Sequence, residues 1–170
     1  MLLYIFRVAH LASEYGDGDA ALRVSTLISL RRSLEAADKD NSGLLSRKQI
    51  EHACSHLGVS DAVMAKVMRL GSFGESGCDW QEYAVLSAAL LAESRPAAVK
   101  LLFEVFSPYD DGSLPADFFL HLFRLLTKKD PAVDQGYVQE LEQYLSGAGG
   151  KITHSEFEKS APGVALATLD

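Results

Sequence analysis

A short pattern recurs four times in this chain of 170 residues and limits how the chain can fold. Each copy has a glycine-containing loop, a hydrophobic anchor, a residue that suits the start of a helix, and then an apolar helical face. The anchors are Leu45, Cys78, Leu114 and Ile152, at intervals of 33, 36 and 38 residues. A repeat of this length indicates one supersecondary unit used several times. The sequence therefore predicts an all-α chain of four helix–loop–helix repeats.

The segments around the anchors indicate a helix on each side of the loop. Before the first loop, Ser25 or Thr26 is predicted to cap a helix with an apolar stripe. The members of that stripe are Leu27, Leu30, Leu34 and Ala37, and those of the stripe after the loop are Ile50, Ala53, Cys54 and Leu57. Three of the four second helices begin with a capping box, in which two residues satisfy each other's backbone N–H groups. The three pairs are Ser46–Gln49, Asp79–Glu82 and Thr153–Glu156.

One repeat cannot bury its own apolar faces, so the four repeats are predicted to pair into two lobes. Within the lobes we expect short two-stranded contacts of Leu45 with Cys78 and of Leu114 with Ile152. An extra N-terminal helix is expected before the first pair, and the tail after the second pair either docks on a lobe or stays loose. The predicted ranges are 1–24 for the N-terminal helix, 25–92 and 96–161 for the two pairs, and 162–170 for the tail.

The loop of the first repeat carries oxygen-bearing side chains at alternate positions. Asp38, Asp40 and Ser42 precede Gly43, which allows the sharp turn that a Cβ would obstruct. Alternate oxygens on a tight loop suit a hard cation, which gathers roughly six to eight ligands at about 2.3–2.6 Å. The residues 38–49 resemble the twelve-residue calcium loop of EF-hand proteins, which makes the four repeats EF-hand-like units. The departure is Gln49, where that family has a bidentate Glu.

The resemblance implies a ligand set and a weak affinity. The implied ligands are Asp38, Asp40, Ser42, the Leu44 carbonyl, Ser46 through a water molecule, and Gln49. An amide in place of the last carboxylate removes one charge and one ligand oxygen. We therefore expect calcium to bind more weakly than in sensors of about 10⁻⁷–10⁻⁵ M. Magnesium, which needs no bidentate carboxylate, is the alternative occupant, and a loop kept only for its shape is the other interpretation.

The other three loops lack the residues that a metal ion requires. In the second loop, residues 71–82, Gly71 and Phe73 stand at the first two ligand positions. The third, residues 107–118, has Tyr109 and Phe118 at ligand positions, and the fourth, residues 145–156, begins with Leu145. The sequence therefore predicts a metal ion in the first loop alone and degenerate loops in the second pair.

Composition excludes several function classes. A net charge of −7 argues against nucleic acid as the main partner. No apolar run approaches the roughly 20 residues that span a bilayer. The two cysteines are far apart and in no metal-binding spacing, which favours a reduced, cytoplasmic setting. The sequence has no phosphate-binding loop, nucleophile elbow or zinc-protease motif, so we expect no catalysis by this chain.

Two segments carry more apolar side chains than one core-facing stripe requires. Residues 83–92 are apolar on nearly every side. Residues 118–126 carry the large apolar side chains of Phe118, Phe119, Leu122, Phe123, Leu125 and Leu126. Close contact between the lobes would explain this excess. A groove that takes the amphipathic helix of a protein partner would explain it too, and we favour the groove.

The N-terminal region adds a narrower resemblance. The stretch Ala20–Leu27, which leads into Leu30, Leu34 and Asp38, is similar to the junction and first EF-hand of calcium-dependent protein kinases. The stretch from Ser94 to Phe106 resembles the start of that family's second lobe. In that family the calmodulin-like domain binds calcium and relieves the inhibition of a kinase domain that precedes it.

This resemblance implies that residues 1–24 are a junction helix and that the chain is a calcium-modulated regulatory domain, with its partner helix possible in the same polypeptide. With at most one working loop, a four-site switch cannot operate. The alternative is a calcium-independent adaptor that grips a partner helix, like a myosin light chain.

Overall fold

Residues 20–57, 59, 61–71, 73–74, 77–92, 94–128 and 130–169 are described by a computed structural model. Of the helix predicted over residues 1–24, residues 1–19 lie outside these ranges. Within the described ranges the chain forms nine α-helices and four short strands, so the predicted all-α class is confirmed. None of the described helices is long and apolar enough to cross a membrane.

The first four helices surround the first two loops. They are α1 (Ala20–Ala37), α2 (Arg47–Ser55), α3 (Asp61–Leu70) and α4 (Trp80–Leu91). Helix α1 begins earlier than predicted, because residues 20–23 are mostly good helix formers that extend it. Ser25 and Thr26 therefore lie inside α1 and do not cap it.

The remaining five helices surround the third and fourth loops. They are α5 (Arg95–Phe106), α6 (Ala116–Thr127), α7 (Gln135–Gly147), α8 (His154–Lys159) and α9 (Ala161–Thr168). Ser94 caps α5 through its side chain, and Asp134 caps α7 in the same way. The tail, for which the sequence left two possibilities, forms α9.

Four short strands pair as the anchors predict. Strand β1 (Leu44–Leu45) is antiparallel to β2 (Cys78–Asp79), with Leu45 opposite Cys78. Strand β3 (Ser113–Pro115) is antiparallel to β4 (Lys151–Thr153), with Leu114 opposite Ile152. All four anchor side chains are buried. The predicted contacts between the anchors are therefore confirmed.

Contacts divide the described chain into two compact parts, with the boundary inside α4. We call them the N-terminal half, within Gly18–Ser87, and the C-terminal half, within Ala88–Asp170. In the N-terminal half, the predicted stripes of α1 and α2 supply the core. Its buried members are Leu27, Leu30, Leu34, Ile50, Ala53 and Cys54.

Both cysteines are buried and free, as expected for small core residues. The Sγ atom of Cys54 lies 3.5 Å from the hydroxyl of Tyr83. Burial, together with the nearby charges of Asp79 and Glu82, raises the pKa of the Cys78 thiol to about 12. A thiol with so high a pKa is inert at neutral pH, because the thiolate is the reactive form.

An aromatic cluster forms the centre of the C-terminal half. The Phe119 ring lies 4.9 Å from that of Phe103 and 5.1 Å from that of Phe157, measured between ring centroids. Phe123 is 5.7 Å from Tyr137, with the two rings stacked. Such pairs stabilise a core beyond the apolar area that they bury.

Candidate functional site

The loop Asp38–Gln49 connects α1 to α2 through strand β1. Its tight turn depends on two residues with positive φ, Asn41 at 52° and Gly43 at 75°. Asparagine tolerates this conformation and glycine adopts it freely. A Cβ at Gly43 would meet no atom within 4 Å, so the backbone angle, and not a lack of space, requires glycine there.

The carboxylate of Asp38 is held by donors from two segments. Its Oδ1 accepts a hydrogen bond from the Ser42 N–H at 2.9 Å. Its Oδ2 accepts one from the Gly43 N–H at 2.9 Å and another from the indole Nε1–H of Trp80 at 3.0 Å. Asp38 is thus fixed in orientation at the start of the loop.

Ser42 is hydrogen-bonded to three of the other five predicted ligands. Its hydroxyl oxygen lies 3.4 Å from Asp38 Oδ1 and 3.3 Å from the Leu44 carbonyl oxygen. Its N–H also lies 3.3 Å from Asp40 Oδ1. Hydrogen bonds from Ser42 hold the pKa of the Asp40 carboxyl below its ordinary value. Asp38, Asp40, Ser42 and Leu44 are therefore brought together.

The other two predicted ligands, Ser46 and Gln49, are engaged in the capping box of α2. Gln49 Oε1 accepts hydrogen bonds from the Ser46 N–H at 2.9 Å and from its hydroxyl at 2.7 Å. Gln49 Nε2 donates to the carbonyl of Ala37 at 3.3 Å, which links the end of the loop to its beginning. Across the described residues, no hydrogen bond connects this pair with Asp38 or Asp40.

Trp80 is not among the residues that the sequence pattern singled out. The register of β1 against β2 places Asp79 opposite Leu44, so the next residue lies beside the turn of the first loop. The Trp80 N–H donates to the Gly43 carbonyl at 3.2 Å, and its ring then reaches Asp38. The available signal was an indole donor two residues after Cys78, the anchor that pairs with this loop.

The remaining loops use their polar groups to hold local structure. In the second loop, Asp79 Oδ1 accepts hydrogen bonds from the Gln81 and Glu82 N–H groups at the start of α4. The Phe73 ring occupies the space beside Gly71, since a Cβ on Gly71 would lie 2.1 Å from that ring. Glu75, a further carboxylate of this loop, lies outside the described residues.

In the third loop, Asp111 accepts hydrogen bonds from the N–H and hydroxyl of Ser113. The Lys151 ammonium lies 3.4 Å from the centre of the Tyr109 ring. In the fourth loop, Glu156 accepts from the N–H and hydroxyl of Thr153 and completes the predicted capping box. These contacts hold the third and fourth loops in shape.

The chemistry of the first loop is suited to weak binding of a hard cation. Its oxygens come from two carboxylates and otherwise from neutral hydroxyl, carbonyl and amide groups. Over the ranges that the structure describes, no cluster of three or more His, Cys, Asp or Glu residues could hold a metal ion. Oxygen ligands of this kind favour a hard cation over zinc. Because only two of them are charged, the cation should bind weakly.

An open cavity of about 830 Å³ lies beside the first loop, between α1 and α2. Its small apolar lining includes Ala36, Ala53 and Leu44, and the Leu44 side chain is exposed. Lys39 and Lys48 also line it.

Comparisons of the chain with family models, with curated proteins and with solved structures found no match.

Proposed function

We propose that this chain is an EF-hand-like regulatory module in which one loop, Asp38–Gln49, binds calcium weakly. The proposal takes the four helix–loop–helix repeats as two lobes, each joined by an antiparallel anchor pair. The observation that carries it is the position of Ser42, whose hydroxyl lies within 3.4 Å of Asp38 Oδ1 and 3.3 Å of the Leu44 oxygen. Three of the proposed ligand positions thus lie close together.

The expected affinity follows from the charge of the ligand set. The proposed ligand set has two carboxylates, Asp38 and Asp40, and lacks the bidentate final carboxylate. The dissociation constant should therefore lie above about 10⁻⁵ M, outside the range of high-affinity sensors. Magnesium competes for the same oxygens, because it needs no bidentate ligand.

Calcium binding in this loop would act on the start of α2. Gln49 Oε1 accepts two hydrogen bonds from Ser46, so it becomes a ligand only if this capping box rearranges. That change would shift the first turn of α2 against α1 and alter the surface offered to a partner. The partner we propose is an amphipathic helix, in another protein or in the same polypeptide, as in the kinases that the chain resembles. The chain's role is regulatory and not catalytic.

Calorimetric titration with calcium tests the proposal. The wild-type chain should give heat for one weak site, and Asp38→Ala should abolish it. Asp111→Ala, in the third loop, removes a carboxylate with similar local hydrogen bonds and should leave the heat unchanged. No heat at about 10 mM calcium, well above the weakest EF-hand range, would contradict the proposal, as would heat that survives Asp38→Ala.

The second candidate is a calcium-independent adaptor that grips a partner helix. It is supported by the hydrogen bonds from Trp80 to Asp38 and from Gln49 to Ala37, because these protein groups alone tie the loop together. The two candidates differ in how stability responds to calcium. A regulatory module should unfold at a higher temperature in millimolar calcium than in chelator, whereas an adaptor should unfold at the same temperature in both.

A further inference from the structure

Helix α9 covers part of the C-terminal half as a separate, short element. It contacts α5, α7 and α8. Ser160 caps it by accepting a hydrogen bond from the Gly163 N–H at 3.1 Å. The buried residues of α9 are Pro162, Gly163 and Leu166, whereas the Val164 side chain is 54% exposed. One large apolar side chain, Leu166, thus anchors this helix.

Both ends of α9 are held through backbone carbonyls. The Tyr137 hydroxyl donates to the Pro162 carbonyl at 2.6 Å. Beyond the other end, Arg95 Nη1 donates to the Leu169 carbonyl at 2.6 Å. Every peptide has backbone carbonyls, so Tyr137 and Arg95 could donate the same hydrogen bonds to any helix placed in the same way.

The contact with α8 is more selective. A Cβ built on Gly163 would lie 1.9 Å from the Phe157 carbonyl oxygen, which is a backbone atom that cannot move aside. Only glycine allows this approach, so any helix in this place must carry glycine at the corresponding position.

The fit beneath α9 is incomplete. A cavity of about 210 Å³ lies beside the Leu166 side chain, lined also by Pro96 of α5 and by His154 and Phe157 of α8. Side chains larger than those of α9 would fill it. In addition, α9 has eight residues, and helices shorter than about 12 residues are marginal when isolated in water. Its helical state therefore depends on its docking.

We propose that the surface of α5, α7 and α8 beneath α9 is a helix-binding groove and that α9 is its resident occupant. The partner is an apolar helix with glycine at the place of Gly163 and a large apolar residue at the place of Leu166, and it binds by displacing α9. This inference rests on the proposed helix-binding function and extends it by naming the groove, its occupant and the partner's pattern.

The test uses the full chain with Leu166→Asp, which places a charge at a buried position and should release α9. Val164→Asp is the matched control, because it adds the same charge to the exposed side of the same helix. The probe is a fluorescent synthetic peptide of residues 160–169, followed by anisotropy in the presence of a calcium chelator. A tethered segment competes at an effective concentration of about 1 mM, so release of α9 should strengthen peptide binding about tenfold or more. A peptide with Gly163→Ala should not bind.

Three results would overturn the proposal. One is equal peptide binding by the wild-type chain and the Leu166→Asp chain, and another is no binding by either. The third is loss of the circular dichroism signal of the remaining helices in Leu166→Asp, which would make α9 part of the core. Because the assay contains chelator, its outcome is independent of calcium binding at Asp38. Failure of the groove and failure of the calcium site are therefore distinguishable.

Discussion

The indole nitrogen of Trp80 lies 3.0 Å from Oδ2 of Asp38, 42 residues earlier in the chain. This hydrogen bond joins the first and second loops of the N-terminal half at the residue that would be the first calcium ligand. It supplements the antiparallel contact of Leu45 with Cys78. The Asp38 carboxylate therefore has a structural role besides its proposed role as a ligand.

Trp80→Phe should destabilise the N-terminal half by about 1–2 kcal/mol, because it removes a hydrogen bond to a charged group and keeps most of the ring. Urea unfolding followed by circular dichroism, together with hydrogen exchange of the α1 and α2 amides, would measure the effect. If the midpoint and the exchange rates match those of the wild type, the hydrogen bond does not stabilise the fold.

Gln49→Glu should lower the stability of the protein in chelator and raise its affinity for calcium. Glutamate preserves the capping box with Ser46 but cannot donate to the Ala37 carbonyl, so the protein in chelator should lose about 1 kcal/mol. The restored carboxylate should tighten calcium binding about tenfold or more, since affinity follows the charge and number of ligands. Urea unfolding in chelator and calorimetry would measure the two effects, and an unchanged dissociation constant would argue against Gln49 as a ligand position.

Arg95→Met should strongly destabilise the C-terminal half. Arg95 Nε donates to Asp130 Oδ2 at 2.7 Å, and the Asp130 side chain is fully buried. Removal of the guanidinium leaves a buried charge unpaired, at a loss of about 3–5 kcal/mol. The double variant Arg95→Met with Asp130→Leu should be more stable than Arg95→Met alone, as urea unfolding would show. Further loss on the second substitution would contradict this account.

His154 should make the stability of the C-terminal half depend on pH. Burial lowers its pKa from the ordinary histidine value, and nearby Lys100 adds to this effect while Glu158 and Glu104 oppose it. The folded state therefore binds a proton less readily than the unfolded state. The contribution of neutral His154 to stability should be full above the ordinary histidine pKa and should be lost as the pH falls below that value.

His154→Gln should remove this part of the pH dependence. Thermal unfolding of both proteins between about pH 8 and pH 5, a range that spans the titration of histidine, would measure it. Parallel curves for the two proteins would show that His154 does not carry the effect.

The elements that the sequence predicted best are those specified by neighbouring residues. The capping boxes of Ser46 with Gln49 and of Thr153 with Glu156 are present, because each depends on two residues of one helical turn. The pairing of Leu114 with Ile152 follows in the same way from two copies of one local pattern.

The contacts that sequence missed depend on distant segments. The hydrogen bond from Trp80 to Asp38 requires the register of β1 against β2, which no local pattern in either loop reveals. Similarly, α9 is an apolar stretch whose helical state depends on α5, α7 and α8, so its sequence alone left docked and loose states open.

The most direct test of the calcium site is the fluorescence of Trp80 during a calcium titration. Trp80 is the only tryptophan of the chain, and its indole contacts the first proposed ligand. Emission should change in one transition with a midpoint above about 10⁻⁵ M calcium, and the transition should be absent in Asp38→Ala. Constant emission up to about 10 mM calcium, or the same transition in Asp38→Ala, would contradict calcium binding by this loop.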